Sequence, residues 1–139
     1  MSSTPLDEAE EYLRLLAATL TDPADGECLQ CYVFRMLAFG CTGSRWTRRY
    51  RDLRAPNATA LLRRLRSKGA GCDCGLFMNA FDLRSEFLVV PIAFDPDGTA
   101  LRCDPEYPDP MPTCHGVRRG STQPCTLWLA RYRYRYGWW

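Results

Sequence analysis

A chain of 139 residues is long enough for one domain with a modest core, and the sequence reads as a single domain over 1–139. Hydrophobic residues at 46% and aromatic residues at 12% exclude a disordered tail, and no apolar run approaches the ~18 residues that a membrane helix needs. The net charge of +2 hides a division: residues 1–27 hold seven acids against one arginine, residues 28–85 eleven bases against three acids, and residues 86–139 six of each. The basic block therefore faces either an anionic partner such as nucleic acid or the acidic N-terminal helix of its own chain. Lys68 is the only lysine, and the arginine bias fits a GC-rich genome as readily as a binding function.

The opening stretch MSSTPLDEAEEYLRLLAATL is acidic where a secretion signal is basic, and no uninterrupted apolar segment precedes a small-residue cleavage site. Export is not expected, and the cytoplasm is the expected compartment. Residues 5–20 read as a helix, with Thr4 as its cap, Pro5 at the first position, acids in the first turn, and Leu13, Leu16 and Leu20 on one face. It ends near TDPADG. Cys28 and Cys31 open a second helical pattern, CYVFRMLAFG, so apolar that burial is expected, with Gly40 to close it.

SRWTRRYRDLR starts after Thr42 or Ser44 and sets Trp46, Tyr50 and Leu53 on one docking face among arginines. Asn57 is placed to cap a fourth helix, ATALLRRLRSK, whose basic last turn suits the helix dipole and which Gly69 stops. Beyond GAGCDCGLFMNAF the period changes. FLVVPIAF, the turn DPDG and TALRC predict a β-hairpin, and LRCDPEYPDPMPTC, with four prolines, an irregular connection. From Arg131 to Tyr136 tyrosines and arginines alternate, as on a strand with two unlike faces. Helices first and strands later predict an α+β fold: N-terminal helices, then a small antiparallel sheet or hairpin, stabilised by a cysteine-rich metal site. Within it, 1–27 is the acidic helix, 28–82 the cysteine-rich helical core and 83–139 the strand-rich part.

Eight cysteines carry the most specific chemistry. In a reducing compartment clustered thiols serve as metal ligands or redox groups more often than as disulfides. Cys28-x2-Cys31 and Cys72-x-Cys74 are two short-spaced pairs beside helix ends, and together they would make a four-cysteine site. Zinc suits it, since the ion takes four thiolates tetrahedrally at ~2.3 Å; an iron-sulfur cluster uses the same ligands. Gly71 and Gly75 let the backbone turn tightly around the second pair. A looser second group comprises Cys103, Cys114, His115 and Cys125, and Cys41 is left over as a small apolar residue at a helix end.

The run from Cys41 through SRWTRRYRDLRAP, then LLRRLRSKGAGCDCGLFMNAF, resembles an uncharacterised bacterial family, a domain of unknown function in which a leucine-rich helix ends Gly-Gly-x-Cys-Asp-Cys-x-x-x-x-Asn. Here that ending is Gly69, Ala70, Gly71, Cys72, Asp73, Cys74 and Asn79. Members often carry Asp-His after the first cysteine, where this chain has Thr42 and Gly43, so a histidine ligand from the family pattern has no counterpart here. The resemblance covers roughly residues 28–82 and implies a bacterial, actinobacterial protein of the cytoplasm with no established activity.

His115 is the only histidine, and neither a nucleophile elbow nor a phosphate loop is present, which disfavours ordinary hydrolase chemistry. Asp73 reads as a turn residue, because four thiolates would leave no coordination position for a water that it could activate. RYRYRYGWW mixes guanidinium and aromatic planes as single-stranded nucleic-acid surfaces do, although one packed and one wet face explains the alternation equally. The function expected is a zinc-stabilised binding or regulatory module with a protein or small-molecule partner, nucleic acid being the partner that the basic block would suit. The competing class is a thiol-based redox sensor or thiol enzyme using the same cysteines.

Overall fold

A computed structural model of the chain describes residues 4–131, so the alternating run after Arg131, with Tyr132, Tyr134 and Tyr136, lies outside the described residues. Helix α1 (Pro5–Thr21) starts as its sequence dictates: the Thr4 hydroxyl accepts from Asp7 N at 3.1 Å and the Asp7 carboxylate accepts from Thr4 N at 3.2 Å. It buries no residue. Leu13, Leu16 and Leu20 do share a face, but that face is exposed, Leu13 at 61%, because among the described residues α1 meets the body of the protein only at its C-terminal end.

Helix α2 (Leu29–Met36) is the buried helix that its composition demanded, with Leu29, Tyr32 and Val33 fully enclosed. A single 3-10 turn (Leu37–Phe39) extends it to Gly40, whose φ of 104° only glycine adopts easily. Helix α3 (Arg45–Arg54) packs on α2 through Trp46 and Tyr50, whose rings lie 6.4 and 5.8 Å from that of Tyr32. Leu53, expected on the same face, is 43% exposed: at i+7 from Trp46 it has passed the end of the α2 contact. Helix α4 (Leu61–Ser67) buries Leu61 and Leu65 and begins after Ala60, three residues beyond the expected cap at Asn57.

Among the described residues, two separate two-stranded antiparallel sheets follow. β1 (Phe81–Leu83) pairs with β4 (Trp128–Ala130) in the register Phe81↔Ala130 and Leu83↔Trp128, and this ladder closes the core. β2 (Ile92–Phe94) and β3 (Ala100–Arg102) form the hairpin that FLVVPIAF-DPDG-TALRC predicted, joined through the Asp95–Gly98 turn but shorter than the apolar run. The run is shortened because Phe87 closes a 3-10 turn (Ser85–Phe87) and tucks against the core, and Val89 pairs instead with Glu106 in an isolated bridge ahead of Pro91. The fold is thus α+β, with the main core between α2, α3, α4 and the β1–β4 ladder. Trp128 stacks there among Phe34, Phe77 and Tyr107 at ring distances of 5.9, 5.1 and 6.1 Å. No helix among the described residues is long and apolar enough to cross a membrane.

The charge division is partly internal. Arg49 meets Asp22 at 2.5 Å, Arg35 meets Glu27 at 2.8 Å, and Arg54 donates to Pro23 O at 2.6 Å beside Asp25. These arginines hold the acidic turn that joins α1 to α2, whereas Arg48, Arg63, Arg64 and Arg66 remain exposed.

Candidate metal centres

Two groups of thiols come together, and neither is the set that local spacing suggested. Cys28 and Cys31 do not meet Cys72 and Cys74. Cys28, Cys31, Cys114 and Cys125 have their sulfurs within 4.8 Å of one another, and so, separately, do Cys41, Cys72 and Cys74. All eight cysteines are free thiols. The looser sequence group is likewise divided. Cys114 and Cys125 join the first cluster, Cys103 stays on the hairpin near Leu101 O, and His115 Nδ1 pairs with Thr126 Oγ1 at 2.5 Å against the Phe87 ring.

The first cluster is assembled by three distant segments. Cys28 caps α2, its sulfur accepting from Cys31 N at 3.3 Å, so both thiols sit at the positive end of a helix, which favours the thiolate. The proline-rich connection is drawn alongside by Val117 N donating to Gly26 O at 2.8 Å, with Gly116 at φ 90° making the turn. That places Cys114, whose sulfur accepts from Cys28 N and Gly116 N, both at 3.3 Å. Cys125 arrives just before β4 and lies 3.8 Å from the Cys31 sulfur, while Trp128 Nε1 donates to Cys31 at 3.3 Å. Cys28 and Cys125 are buried.

Among the described residues every sulfur except that of Cys125 accepts an N–H, the arrangement that stabilises thiolates bound to a cation. A tetrahedron with ~2.3 Å metal-sulfur bonds has edges of ~3.8 Å, which is the Cys31–Cys125 spacing. Without a cation the set must share protons. Hydrogen bonding from Cys31 pushes the Cys28 thiol down to about 5, the same contact together with burial pushes Cys31 up, and burial pushes Cys114 up to about 11.

Gln30, between Cys28 and Cys31 at the start of α2, is fully buried with neither amide atom hydrogen-bonded among the described residues.

The second cluster rests on Asp73. Its carboxylate accepts from Trp46 N at 2.9 Å, Thr47 N at 3.0 Å and Thr47 Oγ1 at 2.7 Å, so it caps α3 in place of Ser44, whose side chain makes no capping bond. Asp73 N also donates to Gly43 O at 2.8 Å. Asp73 is therefore more than the turn residue its neighbours implied: the residue between two cysteines is clamped to the loop that carries Cys41. Gly75 completes the turn, and a Cβ there would lie 3.0 Å from Ala70 Cα. The result sets Cys41 Sγ 3.1 Å from Cys74 Sγ, which is 3.2 Å from Cys72 Sγ. The hydrogen bond to Cys41 is the main cause that raises the Cys74 thiol to about 12, and that from Cys74 lowers Cys72. Cys41 is exposed and its two partners are half-buried.

The sequence held one usable signal for these groupings. A C-x2-C pair at a helix N-terminus needs two further ligands, and the CDC turn was only one of several sources. Cys114 and Cys125, with 10 residues between them in an irregular connection, carry no spacing that marks them as a pair.

A model of the family described as Protein of unknown function (DUF2695) matches residues 29–79. The matched segment contains all three thiols of the second cluster and one, Cys31, of the first. Comparison with curated proteins and with solved structures yields no match.

Proposed function

We propose that this protein is a zinc-stabilised binding or regulatory module of the cytoplasm, in which Cys28, Cys31, Cys114 and Cys125 hold one structural zinc ion. The convergence of four sulfurs from three separate segments, with a 3.8 Å edge between Cys31 and Cys125, carries this reading. Zinc fits better than a harder cation because the donor set is all sulfur. Four thiolates close the coordination sphere, so the ion would fasten the proline-rich connection and β4 to α2 and would leave no position for a substrate.

The role of the metal is thus to hold a surface in place. A protein or small-molecule partner is favoured over nucleic acid, since Arg35, Arg49 and Arg54 are committed to the acidic turn before α2 and only part of the basic block remains to meet phosphates.

Metal analysis of the full chain purified without chelator tests the assignment. One zinc should be retained that chelator removes only as the protein unfolds, because in such sites binding energy is folding energy. A metal-free chain with an unchanged melting temperature would overturn it.

A further inference from the structure

We propose that Cys41, Cys72 and Cys74 form a second zinc site, open on its solvent side, whose fourth coordination position is filled from solution by water and exchanges for a small thiol. The three sulfurs lie within 4.8 Å of one another. Among the described residues no other cysteine, histidine, aspartate or glutamate joins them within that span, and residues 132–139 contain none of these types. Asp73, the nearest carboxylate in sequence, is fully buried and occupied by three donors at the start of α3, so it is not free to become the fourth ligand. Three protein ligands with one position left to solvent is the coordination pattern of a reactive or exchangeable zinc, in contrast to the closed sphere of a structural one.

The loop geometry makes the site a prepared one. Asp73 clamps the CDC turn to Gly43 O, and Cys74 N points at the Cys41 sulfur at 3.5 Å, so the two short segments cannot drift apart. As free thiols the sulfurs are drawn to 3.1 and 3.2 Å, tighter than the ~3.8 Å edge of a zinc-thiolate tetrahedron. Loading replaces S–H···S hydrogen bonds by three metal-sulfur bonds. The sulfurs open by roughly half an ångström, and three protons pass to solvent for each Zn²⁺ bound, leaving a complex of charge −1 before the fourth ligand is added. Side-chain rotation suffices for this opening because Cys41 is exposed and the other two are half-buried. The site stands independently of the buried cluster, with which it shares no residue.

The test uses the full chain, loaded with zinc and then titrated with a chromogenic chelator. Two ions per chain are expected, one released at once and one only on unfolding; Cys41→Ser should abolish the fast one, at least a tenfold loss of affinity, and leave the slow one untouched. Because Cys41 is exposed, that variant folds, and its readout stands even if Cys125→Ser, made to remove the slow ion, does not. Cobalt(II) in the fast site should show ligand-field bands that shift when mercaptoethanol is added, and Cys41→Ser should lose that shift. One ion per chain with a stoichiometry that Cys41→Ser does not change, bands that ignore added thiol, or a disulfide within the triad despite stoichiometric zinc would each overturn the proposal. Loss of the slow ion alone would sink the buried-site reading and leave this one standing.

Discussion

The two thiol clusters are built from the same residue type and lie in one small protein, yet their surroundings differ in every respect that decides what a thiolate site does. The first gathers four sulfurs from three segments, with Cys28 and Cys125 buried, and gives its ligands backbone and indole donors. The second gathers three from two short loops and faces solvent. A closed, buried set makes metal binding inseparable from folding, whereas an open, exposed set can gain and lose its ion while the fold persists. Ligand number and burial, not the identity of the ligands, separate the two.

The largest effect should come from breaking the buried set. Cys125→Ser removes the proposed ligand just before β4, and because a structural zinc would contribute of order 10 kcal/mol of apparent binding energy, the variant should fail to fold or lose its cooperative thermal transition. Circular dichroism on heating reads this directly. A cooperative transition near that of the parent chain would show that the β1–β4 ladder holds the C-terminal segment without help.

Asp73→Ala comes next and reaches the open set through its support. Three hydrogen bonds to a buried carboxylate disappear, two of them orphaning backbone N–H groups at the start of α3, for an expected loss of about 2–4 kcal/mol. Chemical denaturation should show the loss, and chelator titration should show the fast zinc weakened with the slow zinc retained. Equal weakening of both would mean that Asp73 acts on the fold as a whole and would erase the distinction between the clusters.

The smallest effect has the opposite sign. Gln30 lies between Cys28 and Cys31 in the sequence, buried and with both amide atoms unpaired among the described residues, so Gln30→Met, close in shape, should stabilise the protein by about 1–2 kcal/mol and leave zinc stoichiometry unchanged. Destabilisation would show that the amide serves the cluster.

Much of this was legible in the chain. Thr4 and Pro5 started α1 where they should, the apolar run after Cys31 became the buried α2, Trp46 and Tyr50 docked α3, and DPDG turned the hairpin. These features depend on residues a few positions apart, where capping, periodicity and turn chemistry act directly on the backbone. Less legible were the exposure of α1, whose leucine face is a proper helical stripe that finds no partner among the described residues, and the capping of α3 by a carboxylate 27 residues away.

The same boundary runs through the cysteines. Sequence alone determined that Cys28 and Cys31, and Cys72 and Cys74, act as pairs, since x2 and x spacings bring each pair of sulfurs to one loop. It did not determine which pair completes which site. Closing a loop of 40 residues or of 90 differs by less than ~1 kcal/mol in chain entropy, so separation along the chain says little about who meets whom. The choice was made by the pairing of β1 with β4 and by the Val117–Gly26 hydrogen bond, which deliver Cys125 and Cys114 to α2, and by the Asp73 clamp, which delivers Cys41 to the CDC turn.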